Sequence, residues 1–266
     1  MEIIIQPDGQ QASQVAARIV GRLVKEKPHA VIGFATGNTP LQLYKNLVRM
    51  HRDDGLDFSG VTTFNLDEYV GVPPVHPSSF HSYMWAHLFS QLNIPNNRIH
   101  IPDGLAADIP AVCRNYEQAI KSAGGIDIQI MGIGTNGHLG FNEPTSSFYS
   151  RTRIKTLTEE TRLNNSAAFG GQDNVPLHVI TMGLGTILDA RRIILQAFGR
   201  EKAEAIRAAI EGPISSFCPA SALQLHPYTL YLLDAGAASL LEKFMENVRG
   251  VGKKIREKII AHGAGG

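Results

Sequence analysis

The chain has 266 residues, of which 43% are hydrophobic and 18% are charged, and its formal net charge is +1. Such a composition predicts a globular protein with a substantial core, and the near-zero charge disfavours binding to nucleic acid or to an anionic membrane. Two cysteines, Cys113 and Cys218, are too few for a metal cluster or a disulfide framework. Because the first residues do not resemble a signal peptide and no apolar run approaches the ~20 residues that cross a bilayer, we expect a cytoplasmic protein.

Strands and helices are predicted to alternate along the first half of the chain. A β-branched run at residues 2–5 predicts a strand, and apolar residues at helical spacing predict a helix that Asp8 caps and that runs to about residue 26. The further predicted strands are residues 30–35, 61–66 and 126–131, and the further predicted helices are residues 40–52, 78–92 and 111–122.

The second half contains a weaker pattern followed by renewed alternation. Residues 149–176 are polar and show no clear period, so we expect a partly irregular insertion and a lid over a site. The predicted strands that follow are residues 177–182, 192–197 and 228–233, and the predicted helices are residues 183–189, 199–210 and 235–248.

This alternation predicts an α/β fold, with a mostly parallel open sheet and helices on both faces, a Rossmann-like three-layer sandwich. No linker rich in proline, glycine or serine divides the sequence, so we expect one α/β domain over residues 1–266.

The most informative stretch is residues 126–144, IDIQIMGIGTNGHLGFNEP, a predicted strand followed by a glycine-rich loop. Loops that follow parallel strands carry the ligand-binding groups of open α/β sheets. Three spaced glycines match the G-x-G-x-x-G of dinucleotide sites, but Gly140 and Pro144 disfavour the long helix that should follow them. A dinucleotide site is therefore the weaker interpretation.

His138 and Glu143 lie in this loop and predict a His–carboxylate pair. Imidazole titrates near neutral pH, and a neighbouring carboxylate fixes its tautomer and raises its basicity. Most single histidines are structural or solvated, so it is the position within the glycine loop that favours a catalytic role for His138.

Polar residues at three other predicted strand ends have both a functional and a structural interpretation. The turn at residues 36–39 can hold a phosphate at a helix N-terminus or be an ordinary polar turn. Asp67 and Glu68 can act as a general base or as a helix cap. Lys202 can reach a phosphate or be solvated.

Four motifs together resemble the glucosamine-6-phosphate deaminase family over essentially the whole chain. They are TGNTP at residues 36–40, NLDEY at 65–69, GIGTNGHLGFNEP at 132–144 and SRTR at 150–153. The LDEY and GHxGFNEP motifs are specific in combination, whereas the glycines alone are not. The resemblance implies an enzyme that converts glucosamine 6-phosphate and water to fructose 6-phosphate and ammonium, with no cofactor and no metal.

The resemblance also implies roles for individual residues. Asp67 matches the base that moves a proton between C2 and C1, and His138, oriented by Glu143, matches the ring-opening residue. Asn136 matches a third ring-opening position, where family members carry either aspartate or asparagine. The positions that match phosphate-binding residues are Thr36, Gly37, Asn38, Thr39 and Lys202.

One phosphate-binding position departs from the family pattern. Many members have an arginine that reaches the phosphate where this chain has Ala167. We therefore expect the phosphate to depend on Lys202 and the loop amides, or on Arg162 as a substitute.

Activation and assembly are also implied by the resemblance. Activated members bind N-acetylglucosamine 6-phosphate at a second site, and the candidate positions for it are Ser146, Arg153, Lys155 and Thr156. The tyrosine of that site falls near Lys243 or Phe244 and is not matched. The tail after Leu241 is similar in length to that of hexameric members, so a homo-oligomer, up to a hexamer, is expected.

Two other functions compete with the deaminase. A 6-phosphogluconolactonase-like hydrolase would share the glycine–histidine loop, but that related family lacks the FNEP sequence found here at residues 141–144. A non-catalytic sugar-phosphate sensor would not need the intact Asp67 and His138, and the chain has no helix-turn-helix segment for DNA.

Overall fold

The computed structural model describes residues 1–242, in which strands and helices alternate. The strands are β1 (Glu2–Gln6), β2 (Val31–Phe34), β3 (Thr62–Asn65), β4 (Asp67–Tyr69), β5 (Ile99–His100), β6 (Ile128–Met131), β7 (Arg153–Thr156), β8 (His178–Thr181), β9 (Arg192–Ala197) and β10 (Thr229–Asp234). The α-helices are α1 (Gly9–Glu26), α2 (Leu41–Asp54), α3 (Phe80–His87), α4 (Ile109–Ser122), α5 (Glu159–Phe169), α6 (Leu184–Leu188) and α7 (Ala203–Ile210). Within residues 1–242, no helix is both long and apolar enough to cross a membrane.

Seven strands form a parallel sheet in the order β1-β10-β9-β6-β2-β3-β5. Parallel strands need crossover connections, which the helices supply, and a sheet covered on both faces has strands that are apolar throughout. The mostly parallel α/β fold predicted from the sequence is thereby confirmed. The two-residue strand β5 at the sheet edge was not predicted.

Helices pack on both faces of this seven-stranded sheet. On one face, Val20 of α1 and Leu47 of α2 belong to a buried cluster with Ile32 of β2. On the other face, Ile206 of α7 belongs to a second buried cluster with Ile193 of β9 and parts of α4 and α6. The two clusters fix the sheet between the helix layers and hold its strand ends in place.

A smaller antiparallel sheet, in the order β4-β8-β7, lies outside the parallel sheet. The strand predicted at residues 177–182 belongs to this sheet, which corrects the expectation that it would join the parallel alternation. Asp67 pairs with Thr181, which in turn pairs with Arg153, so these side chains share one face. Since side chains alternate along a strand, Glu68 points to the opposite face.

Residues 149–176 are more regular than the sequence indicated, because they contain β7, α5 and a 3₁₀ turn at Gln172–Asn174. The Thr158 hydroxyl caps α5, and Glu159 and Glu160 in the first turn complement the positive end of the helix dipole. Only Thr161 of α5 is buried, so the helix lacks the apolar stripe that makes a helix visible in sequence.

The helix predicted at residues 235–248 is not present over residues 235–240, which form turns instead. Its remainder beyond residue 242, including the positions near Lys243 and Phe244, lies outside the described residues.

Candidate functional site

A cavity of about 530 Å³ opens where the central parallel strands end. Its walls come from the turn after β2, from β4, from the glycine loop after β6, from α5 and from the segment after β9. Open α/β sheets bind ligands at this edge. The predicted site residues that line the cavity are Thr36, Gly37, Asn38, Thr39, Asp67, His138 and Lys202.

Two phenol groups hold the turn at residues 36–39 in its path. Tyr83 Oη donates to the carbonyl oxygen of Gly37 at 2.5 Å, and Tyr44 Oη donates to that of Ala35. Gly37 has φ of 97°, which a residue with a side chain rarely adopts. The two tyrosine hydrogen bonds therefore hold the backbone of the turn. The turn leads into the N-terminus of α2, where an anion is favoured.

Asp67 and Glu68 are both buried, but their environments differ. Burial and the charge of Glu68 raise the pKa of Asp67 to about 8. Glu68 accepts hydrogen bonds from the backbone N–H groups of Tyr69, Phe80 and His81 at 2.8–3.0 Å. Phe80 and His81 begin α3, so Glu68 caps that helix. Of the two roles considered for these carboxylates, Glu68 has the structural one and Asp67 faces the cavity.

Asn136 hydrogen-bonds to both His138 and Glu143. His138 Nδ1 lies 2.7 Å from Asn136 Oδ1, and Asn136 Nδ2 donates to Glu143 Oε2 at 2.9 Å. The direct distance from His138 Nδ1 to Glu143 Oε2 is 3.6 Å. His138 and Glu143 therefore lie within ion-pair distance, as expected of a His–carboxylate pair, and the Asn136 amide bridges them as well. We refer to these three residues as the His138 relay.

The chemistry of the relay assigns a tautomer to His138. The Glu143 carboxylate only accepts hydrogen bonds, so the NH₂ group of Asn136 must face Glu143 and its oxygen must face His138. That oxygen also accepts the backbone N–H of His138 at 3.1 Å. His138 consequently carries its proton on Nδ1, which leaves Nε2 as the free acceptor of the neutral ring.

Burial lowers the pKa of His138, the charge of Glu143 raises it, the charge of Lys202 lowers it, and the charge of Glu160 on α5 raises it. The net direction is downward, which favours a neutral imidazole that can accept a proton near pH 7. Burial also lowers the pKa of Lys202, and the charge of Glu201 opposes this effect. A cation held in a partly desolvated position interacts strongly with an anionic ligand.

The cavity has residues that sequence analysis missed, above all Thr161, Asn164 and Asn165 of α5. Their helix was not predicted, although Thr158 followed by two acidic residues is a helix-start signal. Arg162 was one of two alternatives for replacing the phosphate arginine, and its side chain lies away from the cavity. Its guanidinium donates to the carbonyl oxygens of Gln172 and Val175 and does not line the cavity.

The residues expected at a second site are divided between two faces of β7. Arg153 and Lys155 share one face and are half-buried, whereas Thr156 lies on the other face and is exposed. Ser146 is buried, and its hydroxyl finds no hydrogen-bond partner among the described residues. Binding of an activator at these residues stays a prediction. Over residues 1–242, no group of three or more His, Cys, Asp and Glu side chains could hold a metal ion.

Comparison with known proteins places this architecture in a family. The family model for glucosamine-6-phosphate isomerases and 6-phosphogluconolactonases matches residues 9–231. A glucosamine-6-phosphate deaminase from Arthrobacter sp. (strain FB24) is 52% identical over 91% of this chain and 93% of its own length. One from Shewanella loihica (strain ATCC BAA-1088 / PV-4) is 45% identical over the whole of both chains.

Solved structures agree with this assignment. A monomeric glucosamine-6-phosphate deaminase superposes with a TM-score of 0.88 at 48% identity, covering 90% of this chain and 100% of its own. A 6-phosphogluconolactonase from Trypanosoma brucei has a TM-score of 0.70 at 18% identity over 91% of this chain and 98% of its own, a likeness of fold alone. The chain therefore belongs to the glucosamine-6-phosphate isomerase and 6-phosphogluconolactonase family, and within it to the glucosamine-6-phosphate deaminases.

Proposed function

We propose that this chain is an amine-releasing hydrolase that converts glucosamine 6-phosphate and water to fructose 6-phosphate and ammonium. The observation that carries the proposal is that one cavity joins a buried carboxylate, an oriented neutral imidazole and a lysine beside a strand–helix turn. These are the groups that an isomerisation of a phosphorylated sugar requires. Relatives that are 45–52% identical and named glucosamine-6-phosphate deaminase support the same substrate.

In this proposal, the phosphate of the sugar binds at the end of the cavity that the turn at residues 36–39 and Lys202 form. Backbone N–H groups at the start of α2 and the Lys202 ammonium favour a dianion there. With the phosphate held, the sugar ring extends toward Asp67 and His138. Because Ala167 is exposed and outside the cavity lining, Lys202 is the main side-chain cation for the phosphate.

Ring opening is assigned to His138. Its Nε2 takes the proton of the anomeric hydroxyl and returns a proton to the ring oxygen as the C1–O5 bond breaks. The His138 relay holds Nδ1 protonated, and the Glu143 carboxylate stabilises the positive charge that forms transiently on the imidazole. The product of this step is the open-chain amino aldehyde.

Isomerisation and deamination follow at C2 and C1. Asp67 removes the C2 proton as the aldehyde oxygen gains one, which gives an enol-amine, and a proton is then delivered to C1. The resulting imine at C2 adds water and expels ammonia, which leaves the ketone of fructose 6-phosphate. A carboxylate with a pKa of about 8 is a stronger base than an exposed aspartate, which suits removal of a proton from carbon.

Regulation, assembly and location are part of the proposal in their finer details. We infer activation by N-acetylglucosamine 6-phosphate through Arg153, Lys155 and Ser146, assembly into a homo-oligomer, a lid function for residues 149–176 and a cytoplasmic location. The monomeric state named for one 48% identical relative belongs to that protein, so oligomeric state needs its own measurement by light scattering.

The direct experiment is to incubate pure protein with glucosamine 6-phosphate and to quantify fructose 6-phosphate and ammonium, with and without N-acetylglucosamine 6-phosphate. We expect both products in equal amounts. Folded protein that forms neither product would contradict the proposal, and hydrolysis of 6-phosphogluconolactone in its place would favour the lactonase alternative. Tight binding of sugar phosphate without turnover would favour the sensor.

A further inference from the structure

Thr161 connects α5 to the His138 relay through its side chain. Its hydroxyl donates to Glu143 Oε1 at 2.8 Å, and Asn136 holds the other oxygen of that carboxylate from the opposite side. The Thr161 hydroxyl itself accepts a hydrogen bond from the Thr158 hydroxyl at 2.9 Å. A continuous chain of hydrogen bonds therefore runs from the N-cap of α5 to His138.

Thr161 also attaches this part of α5 to the protein body, together with Arg162, whose guanidinium donates to the carbonyl oxygens of Gln172 and Val175. Thr161 is 9% exposed and is the one buried residue of the helix, although α5 lines the cavity. The other end of the helix is fixed separately, by Phe169 against Tyr69 and His76. Within the cavity, the start of α5 is therefore tied by the Thr161 hydroxyl to the carboxylate that lies beside His138.

We propose that Thr161 is a positioning residue for ring opening, which couples the docked position of α5 to the protonation behaviour of His138. With the Thr161 bond in place, Glu143 is held on both oxygens and the relay keeps the His138 proton on Nδ1. Without that bond, the Glu143 charge is less shared and the carboxylate can approach the imidazole directly. The His138 pKa then rises, and a smaller fraction of the ring is neutral near pH 7. The catalytic part of this inference rests on the proposed function.

The test compares Thr161→Val, which keeps the shape and removes the hydroxyl, with Thr161→Ser, which keeps the hydroxyl. Ser166→Ala is the matched control, because it removes a hydroxyl from the same helix at a position outside the cavity lining. The histidine side chains are titrated by NMR, with ring nitrogen shifts reporting the tautomer, and circular dichroism checks folding. For Thr161→Val we expect the His138 pKa to rise by roughly 0.5–1 pH unit and the neutral ring to lose its Nδ1–H preference.

Steady-state kinetics supply the second readout. We expect kcat of Thr161→Val on glucosamine 6-phosphate to fall roughly 10- to 100-fold with little change in KM, and Thr161→Ser to recover most of it. A Thr161→Val variant that matches Ser166→Ala in both His138 titration and kcat would overturn the inference, as would failure of Thr161→Ser to restore either. If the parent shows no turnover, the proposed function fails, and the NMR titration still decides the role of Thr161.

Discussion

The two sheets of this molecule present their functional groups in different ways. The parallel sheet contributes residues from connections after its strands: the turn at residues 36–39 after β2, His138 after β6 and Lys202 after β9. The antiparallel sheet contributes Asp67 from within a strand, where the side chain is only 5% exposed. Side chains in the connections remain near solvent, whereas the side chain of Asp67 in β4 is buried and therefore poorly solvated.

In the proposed mechanism, this difference separates phosphate binding from proton transfer to carbon. A phosphate ligand needs hydrogen-bond donors and a cation that it can reach from solvent, which loops provide. A base for a carbon acid needs a high pKa, and burial within β4 raises the pKa of Asp67 to about 8. His138 lies in the loop after β6 of the parallel sheet. It is connected through Asn136 and Glu143 to Thr161 of α5 by a series of hydrogen bonds. Mutations of the proposed phosphate-binding groups and of the proposed proton-transfer groups should consequently affect different kinetic constants.

The largest effect is expected from Asp67→Asn, which removes the base and keeps the shape of the side chain. We expect kcat to fall by roughly 10³–10⁴-fold, because no other described carboxylate lines the cavity to take the C2 proton. The measurement is ammonium release from glucosamine 6-phosphate, with circular dichroism to verify folding. A kcat within tenfold of the parent would contradict the role of Asp67 as the base and with it the proposed division of roles between the two sheets.

His138→Gln is expected to come next. It should lower kcat on the cyclic substrate by roughly 10²–10³-fold, because the ring-opening proton transfers lose their carrier. Binding of an acyclic analogue such as 2-amino-2-deoxyglucitol 6-phosphate, measured by calorimetry, should change little. His29→Gln, at an exposed position, is the control. Equal losses for substrate turnover and for the acyclic ligand would show that His138 is not specific to ring opening.

A binding effect is expected for Lys202→Met. We predict that KM for glucosamine 6-phosphate rises roughly 10- to 100-fold while kcat changes much less, because a charge-assisted bond to the phosphate is lost in every bound state. The exposed Lys121→Met serves as the control for a lost surface charge. If kcat fell and KM stayed the same, Lys202 would act in the chemical steps rather than in binding the phosphate.

The pH dependence tests the environment of Asp67 directly, without a substitution. The ionised fraction of Asp67 increases with pH until the pH reaches its pKa of about 8. Since the ionised form is the base, kcat/KM should rise about tenfold per pH unit below that value and then level off. An apparent pKa near 4 for the activity would contradict the buried setting.

Stability should change with pH in the opposite direction. Between the unfolded value of 3.8 and about 8, the folded state keeps a proton on Asp67 that the unfolded state has lost. The free energy of unfolding should therefore decrease as pH rises through this range, by on the order of 5 kcal/mol for this group. Urea unfolding of the parent and of Asp67→Asn should diverge over this interval, with the variant the more stable at high pH.

The parallel sheet could be predicted from the sequence because each of its strands of four or more residues is an apolar run bounded by glycines, prolines or polar turns. β2 and β6, which lie at the centre of the sheet, are buried along their whole length and so have this signature. The loops that follow such strands meet at one edge for geometric reasons, so the residues that line the cavity there were found. The antiparallel sheet was not predicted, because β4 has only three residues and β8 has the same apolar character as a parallel strand.

The details of the site depend on contacts that spacing does not determine. Two residues five apart, His138 and Glu143, were expected to pair and do lie within ion-pair distance, but only the folded loop shows that Asn136 hydrogen-bonds to both of them. Thr161 was missed because α5 has a single buried position and therefore no apolar period. Which of Asp67 and Glu68 faces the cavity also depends on strand direction and pairing, and these are properties of tertiary structure.

The pairing of β4 with β8 has a consequence for the choice of base. Asp67 is opposite Thr181 and Glu68 is opposite Ile180, so the two carboxylates lie on opposite faces and one of them caps α3. Side chains alternate with a period of two residues, so a slip of one residue moves every side chain of a strand to the other face. In the proposed mechanism, which of the two carboxylates acts as the base is thus set by its odd or even position in the three-residue strand β4. Inserting one residue ahead of Asp67 would exchange the surroundings of the two carboxylates while leaving both in the chain.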